Sequence, residues 1–258
     1  MQTAHLIYFS PTGTTRKVVE TIAQGFDTGK VIHCDLTLPS SKFGTVLTDG
    51  VAIIGIPVYA GRVPELCLQR LQAITATHIP AVLVALYGNR EFDDALVELR
   101  DLSVAKGFDV IAAGAFIGEH SLSTTTQPIA VGRPDDEDLK LAVQFGKQVA
   151  TKLVGGNVDT PEINGNVPYK ERPSLGGKAP ETDDAQCILC GKCAEVCPSG
   201  IIAVDLSVTT NAENCIMCCA CVKACEVQAR HFSHPKIEEK RGILQKNCCK
   251  PKIPAIFI

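Results

Sequence analysis

Cysteine has the most informative spacing in this chain of 258 residues. The pattern C-x2-C-x2-C-x3-C occurs twice, at 187–197 and at 215–225. Three thiolates separated by two residues on a tight turn can surround one face of a cubane cluster. The fourth, which opens a helix that points away, reaches a neighbouring cluster. The spacing therefore predicts two [4Fe–4S] clusters with crossed ligands. Cluster I takes Cys187, Cys190, Cys193 and Cys225, and cluster II takes Cys215, Cys218, Cys221 and Cys197.

Structural zinc is the alternative for these cysteines. Zinc sites usually present paired cysteine knuckles separated by a longer spacer, so two tandem four-cysteine runs favour clusters. Pro198 follows the first run, but Glu226 follows the second. A carboxylate beside Cys225 is expected to change the exposure or the charge near cluster I without preventing assembly. The cysteines outside both ligand sets are Cys34, Cys67, Cys219, Cys248 and Cys249. We interpret Cys219 as pointing away from the cluster and 248–249 as packed free thiols.

Short apolar stretches alternate with amphipathic ones through residues 1–154. The apolar run at 51–56 is nearly continuous, which is typical of a strand covered on both faces. Alternation of strand and helix predicts an α/β domain built on a doubly wound parallel sheet. The predicted strands are Ala4–Phe9, Lys30–Asp35, Val51–Ile56, Ala81–Tyr87 and Asp109–Ile117. The predicted helices cover about 15–26, 64–75, 92–106 and 135–153.

The composition changes after this first domain. Residues 155–186 are rich in glycine and proline and are predicted to be an extended linker. Residues 187–230 contain the two cysteine runs and form a second, smaller α+β domain. The tail, 231–258, ends in the apolar segment 253–258, which we expect to dock on one of the domains because its exposure to water would be unfavourable.

A hydroxyl-rich turn follows the first predicted strand. It reads Ser10-Pro11-Thr12-Gly13-Thr14-Thr15 and precedes a helix. Such a turn at a helix N-terminus offers backbone N–H groups, hydroxyl donors and the positive end of the helix dipole to a phosphate. It matches neither the P-loop nor the dinucleotide fingerprint. A plain helix cap is the alternative, but the number of hydroxyls favours phosphate.

This turn resembles the flavodoxin phosphate loop, T-x-T-G-x-T, with Ser10 in place of the first threonine. The resemblance covers residues 1–154. It implies FMN bound at the carboxyl edge of a five-stranded parallel sheet with the strand order 2-1-3-4-5. Tyr59 and Phe92 are the implied ring-stacking residues, since the chain has no tryptophan. The implied FMN-binding residues are Ser10, Thr12, Gly13, Thr14, Thr15, Pro57, Val58, Tyr59, Ala60, Gly61, Arg62, Tyr87, Gly88, Asn89, Arg90, Phe92 and Asp93.

Two arginines in these loops, and one histidine in the loop after the fifth predicted strand, are candidates for a chemical role. Arg62 and Arg90 are interpreted either as solvated surface residues or as cations that stabilise a reduced, anionic flavin. His120, in the loop after the fifth predicted strand, is a candidate proton donor to reduced flavin. A hydrogen-bonded structural histidine is the alternative for that position.

The whole chain resembles a family of flavodoxin–ferredoxin fusions, the EFR-type ferredoxins of anaerobic bacteria and archaea. The resemblance rests on Pro57–Pro64, Tyr87–Asp94, Gly118–Ser123, Gly132–Asp135 and the eight cysteines. Because clusters carry single electrons and FMN stores one or two, the leading hypothesis is an electron-transfer protein that serves donor and acceptor proteins of anaerobic metabolism. The alternatives are an FMN-dependent reductase of a small substrate fed through the clusters, and a redox sensor that moves the tail.

Composition excludes several other classes. The formal net charge is −3 and no long basic run occurs, so nucleic acid is not an expected partner. No apolar stretch is long enough to span a bilayer, and no nicotinamide-binding motif occurs. Residues 1–5 also lack the basic n-region of a signal peptide, so we expect a cytoplasmic location. In a cytoplasmic chain 13 cysteines would be an odd disulfide set, which favours metal ligation.

Overall fold

The structure is a computed structural model that describes residues 2–41, 44–173 and 176–258. Met1, Lys42, Phe43, Ser174 and Leu175, which fall within the predicted N-terminal domain and linker, lie outside the described residues. The strands of the N-terminal part are β1 (Gln2–Tyr8), β2 (Thr28–Asp35), β3 (Thr45–Leu47), β4 (Val51–Pro57), β5 (Ile74–Ala76), β6 (Ile79–Tyr87) and β7 (Phe108–Ile117). The helices are α1 (Thr14–Ala23), α2 (Glu65–Leu71), α3 (Ala95–Ala105) and α4 (Asp136–Val154).

Five of these strands form a parallel sheet in the order β2-β1-β4-β6-β7. Counted along the chain within the sheet, this is the order 2-1-3-4-5, which defines the flavodoxin-like doubly wound fold. The predicted fold class is confirmed. Strands β3 and β5 pair with each other outside this sheet. Each has only three residues, which is too short for an alternating pattern to be recognised.

Helices cover both faces of the sheet, and all seven residues of β4 are therefore buried. Helices α1 and α4 cover one face, where Val18 and Phe145 belong to the core. Helices α2 and α3 cover the other, where the core includes Leu96. Gly55 on β4 allows α1 to approach closely, because a Cβ atom there would lie 2.3 Å from Cγ2 of Val19.

The C-terminal part consists of short elements. They are β8 (Glu181–Thr182), α5 (Lys192–Glu195), β9 (Ile202–Val204), β10 (Val208–Thr210), the 3-10 turn Ala212–Asn214, α6 (Ala220–Lys223), β11 (Arg230–His231), α7 (Pro235–Asn247) and β12 (Ala255–Phe257). Two antiparallel pairs, β9–β10 and β8–β11, frame the module. Within the described ranges, no helix has both the length and the apolarity needed to cross a membrane.

The two cysteine runs have the same backbone geometry. Leu189 and Met217 have φ values of 55° and 54°, and Gly191 and Cys219 have values of 80° and 57°. Gly191 and Cys219 are the N-caps of α5 and α6. Cys219 therefore occupies the left-handed position that glycine fills in the first run. Its side chain is buried in a cluster with Leu122 on the α/β domain.

The C-terminal tail returns to the α/β domain. Strand β12 pairs antiparallel with β7, with Ile256 opposite Gly114, and becomes the sixth strand of the sheet. Asn89 holds the preceding residues, because its Nδ2 donates to the carbonyl oxygens of Cys248 at 2.7 Å and Lys250 at 2.9 Å. The apolar tail is covered only in part, since Ile253 remains 81% exposed.

The segment between the two parts of the chain is attached to α3. The Asp94 carboxylate accepts hydrogen bonds from the backbone N–H groups of Asn166 at 2.8 Å and Lys170 at 2.7 Å. The Tyr169 hydroxyl donates to Asp101, and Arg172 pairs with Glu98. These bonds fix the path of the chain from the α/β domain to the cysteine module.

Candidate redox site

The eight cysteines line two separate cavities. Cys197, Cys215, Cys218 and Cys221 border one cavity, together with Cys219, and Cys187, Cys190, Cys193 and Cys225 border the other. Each cavity is thus bordered by the first three spaced cysteines of one run and by the fourth of the other. Four sulfur ligands that surround a cavity, and do not converge on one metal position, suit a cubane cluster, which is larger than a single ion. Within the described residues, no group of three or more His, Cys, Asp or Glu side chains is arranged to hold a single metal ion.

Arg230 lies between the two cavities and borders both. It is 4% exposed. Its Nη1 donates to Thr182 Oγ1 at 2.7 Å, and its Nη2 is 3.2 Å from Thr210 Oγ1 and 3.7 Å from Cys221 Sγ. Its Nε is buried without a hydrogen-bond partner among the described residues. An orphaned buried donor facing sulfur cavities fits clusters, whose sulfur atoms accept hydrogen bonds.

The two cavities differ in exposure. Cys190 is exposed, whereas Cys197, Cys218 and Cys221 are buried. Glu226, the residue in place of the second proline, is exposed and pairs with Lys192. The carboxylate beside cluster I thus has a counter-ion.

The cavity of cluster II faces the carboxyl edge of the parallel sheet. Arg70 on α2 donates to the Pro198 carbonyl at 2.7 Å and to the carbonyls of Leu36 and Thr37. Lys223 on α6 pairs with Glu119 after β7 at 2.7 Å. The module is therefore bound to both ends of the sheet edge, with cluster II between it and the α/β domain.

Tyr59, in the loop after β4, lies next to this cavity. Burial raises the pKa of its hydroxyl well above the ordinary value, and the neighbouring thiols of Cys218 and Cys219 add to the effect. Tyr59 therefore links a loop of the sheet edge to cluster II.

The hydroxyl-rich turn has the geometry of an anion cradle. Gly13 is the N-cap of the ten-residue helix α1, has a φ value of 80° and is exposed, and a Cβ atom there would meet nothing within 4 Å. Thr12 and Thr14 place their Oγ1 atoms 3.3 Å apart beside it. Ser10 Oγ accepts the backbone N–H of Arg16 at 3.0 Å. Thr15 is buried beneath the turn. These features fit a phosphate group at a helix N-terminus.

The loop after β4 is a tight turn held against the loop after β6. Ala60 and Gly61 have φ values of 53° and 81°, and backbone hydrogen bonds join Tyr59 to Arg62 in both directions. This is the two-residue turn with positive φ at both central positions. A Cβ atom on Gly61 would lie 2.0 Å from Oδ2 of Asp93, so the two loops are in direct contact. Pro57 ends β4, and Val58 donates its N–H to the Leu86 carbonyl on β6.

The Arg62 guanidinium is buried and forms an ion pair with a carboxylate on α3. It donates to Glu98 on α3 through Nε at 2.8 Å and through Nη2 at 2.7 Å. It also lies over the Tyr169 ring, 4.7 Å from its centroid. The hydrogen bond to Glu98 raises the Arg62 pKa. Neither sequence-based interpretation, a surface cation or a flavin cation, describes this buried ion pair. A flavin contact at this position would have to use the backbone.

The other predicted residues of the second and third loops occupy varied environments. Arg90 is exposed and pairs with Asp93. Asn89 is 3% exposed and is committed to the tail. Phe92 lies edge-on to Tyr87 with ring centroids 5.7 Å apart. No described contact joins Phe92 to Tyr59.

His120 packs against Gly88 and is held in one orientation. Its Nδ1 accepts the backbone N–H of Leu122 at 3.0 Å, and its Cδ2 lies 2.4 Å from the position of a Cβ on Gly88. Burial, with the nearby cations Lys240 and Arg90, lowers the His120 pKa to about 4. The neutral ring can therefore donate only from Nε2 near neutral pH. This favours the structural interpretation over an imidazolium proton donor.

Sequence reasoning missed four side chains that organise this region: Arg230, Arg70, Glu98 and Asp94. Each acts on residues distant in the chain, as when Arg70 contacts Pro198. Only Arg230 had a local sequence signal. It lies five positions after Cys225, in a module with few other buried charged residues.

The comparisons with known proteins agree with this division of the chain. Residues 179–226 match the family model of the 4Fe-4S dicluster domain. The module therefore belongs to the class of iron–sulfur domains that hold two [4Fe–4S] clusters. No curated protein matches the chain.

Solved structures similar to the N-terminal part include three flavodoxins. A flavodoxin from Archaea is 14% identical over 59% of this chain and 99% of its own, with a TM-score of 0.39. Oxidised flavodoxin 1 from Bacillus cereus is 16% identical over 58% and 97%, with a TM-score of 0.42. Fusobacterium nucleatum flavodoxin bound to flavin mononucleotide is 17% identical over 61% and 99%, with a TM-score of 0.40. By its strand order and by the family match, the chain joins a flavodoxin-like α/β domain to a dicluster module.

Proposed function

We propose that this chain is an electron-transfer iron–sulfur flavoprotein, in which FMN and the two clusters exchange electrons on behalf of redox partners of anaerobic metabolism. The hydrogen bond from Arg70 on α2 to the carbonyl of Pro198, which borders the cluster II cavity, carries the proposal, because it brings the sheet edge and the cluster module together. One chain then holds both kinds of carrier at a high effective concentration.

The α/β domain would hold FMN at the edge where its parallel strands end. Thr12, Gly13 and Thr14 would bind the phosphate through hydroxyls and backbone N–H groups. The loops at 57–62 and 87–93 would contact the ring. FMN, when bound, supplies a carrier able to take up one or two electrons.

Cluster I is the end of the path that a partner protein would approach. Its ligand Cys190 is exposed, and so are the neighbouring apolar residues Ile188, at 66%, and Leu189, at 42%. Cluster II faces the α/β domain instead. The order partner, cluster I, cluster II and FMN therefore follows from burial. We place this exchange in the cytoplasm, where thiols are kept reduced.

A reductase acting on a small substrate is the second candidate. A cavity of about 670 Å3 lies between the α/β domain and the module and borders both Tyr59 and Cys215. Gln69 on α2 lines this cavity and is exposed. If the cavity holds a substrate, Gln69→Trp slows the oxidation of reduced protein by that small molecule. Electron exchange with a partner protein remains unchanged.

Cofactor analysis of anaerobically purified protein tests the leading proposal. We expect about one FMN and about eight iron atoms per chain, as two [4Fe–4S] clusters require. Gly13→Val should reduce FMN content severalfold and leave the iron content unchanged. Gly156→Val is the matched control, since Gly156 is also exposed, has a φ value of 72° and has open space around it. Equal FMN loss in both variants, or no FMN in the unaltered protein, would overturn the assignment.

A further inference from the structure

We propose that Arg230 is a counter-cation shared by the two clusters, and that it makes both of them easier to reduce. The inference builds on the proposed function but concerns the clusters alone. Its observation is the position of one buried guanidinium at the border of both thiol cavities.

Among the described residues, Arg230 has sulfur ligands around it, and no carboxylate forms a hydrogen bond or ion pair with it. Its described hydrogen-bond partners are two threonine hydroxyls and the Cys221 sulfur. A buried guanidinium normally requires an anion, because its desolvation is unfavourable. The cysteine thiolates of the clusters are the anions that the geometry supplies.

The charge and the donor groups act on reduction in the same direction. Reduction of a cluster by one electron, taken from a one-electron donor, adds one negative charge and breaks no bond. A fixed cation beside the cluster stabilises the reduced form more than the oxidised form. Hydrogen bonds to cluster sulfurs have the same effect. The unpartnered Nε–H is a donor free for such a bond.

The position of Arg230 is fixed from both sides. Strand β11 carries it and pairs with β8, so that Thr182 on β8 and Thr210 on β10 hold the two Nη atoms. The guanidinium therefore cannot turn toward solvent when one cluster changes its charge. Each cluster should respond to loss of this residue, whereas an exposed cation near one cluster should affect that cluster only.

Redox titration of the holoprotein, followed by the EPR signals of the reduced clusters, tests this role. Arg230→Met should lower the equilibrium constant for reduction of both clusters by at least tenfold, a shift of about 59 mV to lower potential for a one-electron couple. Lys192→Met, which removes an exposed cation near Cys190, should move cluster I alone and by less. Arg100→Met, which alters α3 far from the module, should move neither.

Unchanged midpoints in Arg230→Met, with full iron content, would overturn the proposal. If that variant binds less iron, Arg230→Gln decides the question. Glutamine keeps a polar amide at this position but removes the charge, so we expect lower midpoints in both clusters with full iron. Unchanged midpoints in that variant would contradict the role. Neither result depends on FMN, so failure here is distinguishable from failure of the proposed electron path.

Discussion

Glu98 is the side chain on which the loop after β4 depends most. It is 6% exposed and accepts hydrogen bonds from Arg62 through two nitrogens, from Arg172, and from the backbone N–H of Val63 at 2.9 Å. Glu98→Ala would leave the Arg62 guanidinium buried without its anion, whereas Arg172, at 28% exposed, can still reach water.

The size of the effect follows from this difference in burial. Breaking a buried ion pair by removing one partner costs about 3–5 kcal/mol. We expect the lower end, about 3 kcal/mol, because Arg172 is partly solvated and contributes little. For a chain of this size, about 1 kcal/mol shifts the melting temperature by about 2–4 °C. The melting temperature of Glu98→Ala should therefore fall by about 6–12 °C.

Thermal unfolding of the anaerobic holoprotein, monitored by circular dichroism and by flavin fluorescence, measures this change. Flavin release should precede loss of the helical signal, because Glu98 anchors the loop through Val63 and Arg62. Glu171→Gln is the control, since Glu171 is exposed and neighbours Arg172. A melting temperature within about 2 °C of the unaltered protein in Glu98→Ala, matching the control, would refute the reasoning.

Three further predictions concern the tail, His120 and the turn at Gly61. Asn89→Ala removes the bonds to Cys248, Lys250 and Lys252, so limited proteolysis should cleave the C-terminal tail several times faster, while Asn157→Ala on the surface should not change the rate. The His120 pKa is lowered to about 4 in the folded protein. As pH drops from about 6.5 to about 4, the unfolded chain therefore binds a proton that the folded chain does not, and the stability of the fold decreases. His120→Gln should flatten this part of the plot of melting temperature against pH, and an unchanged slope would contradict the role of His120. Gly61→Ala should lower FMN content, because its Cβ would overlap Asp93, and full retention of FMN would show that the loops can separate.

The sequence predicted what local patterns determine. Strand–helix alternation with apolar strands such as 51–56 was enough to predict the doubly wound sheet, because the burial of each element is visible in its own residues. The family match at 179–226 confirms a two-cluster module, for which the repeated cysteine spacing was a local signal. Which thiols bind which cluster remains a prediction that the two cavities support.

Contacts between distant segments could not be read from the sequence. The pairing of Arg62 with Glu98 depends on the packing of a loop against α3, which no local pattern encodes. The position of Arg230 depends on β11 pairing with β8, a strand of only two residues. Strand β12 is another such case, since three apolar residues do not reveal which sheet edge they join.

The positions of the two clusters relative to the sheet also determine the order of the carriers in the proposed electron path. The module is bound through Arg70 to Pro198 and through Lys223 to Glu119, so cluster II is held at the sheet edge. Cluster I, with exposed Cys190, is left for a partner. In the proposed function, a partner that docks beside Cys190 exchanges electrons with FMN through both clusters.

Rapid mixing of the anaerobic holoprotein with a limiting amount of a one-electron reductant tests the central claim most directly. Cluster and flavin absorbance are followed together as the electrons redistribute. The account predicts that the flavin is reduced after the clusters, with a first-order rate constant that stays the same across a tenfold range of protein concentration. A rate constant that rises in proportion to protein concentration, or a flavin that stays oxidised beside reduced clusters, would contradict transfer within one chain.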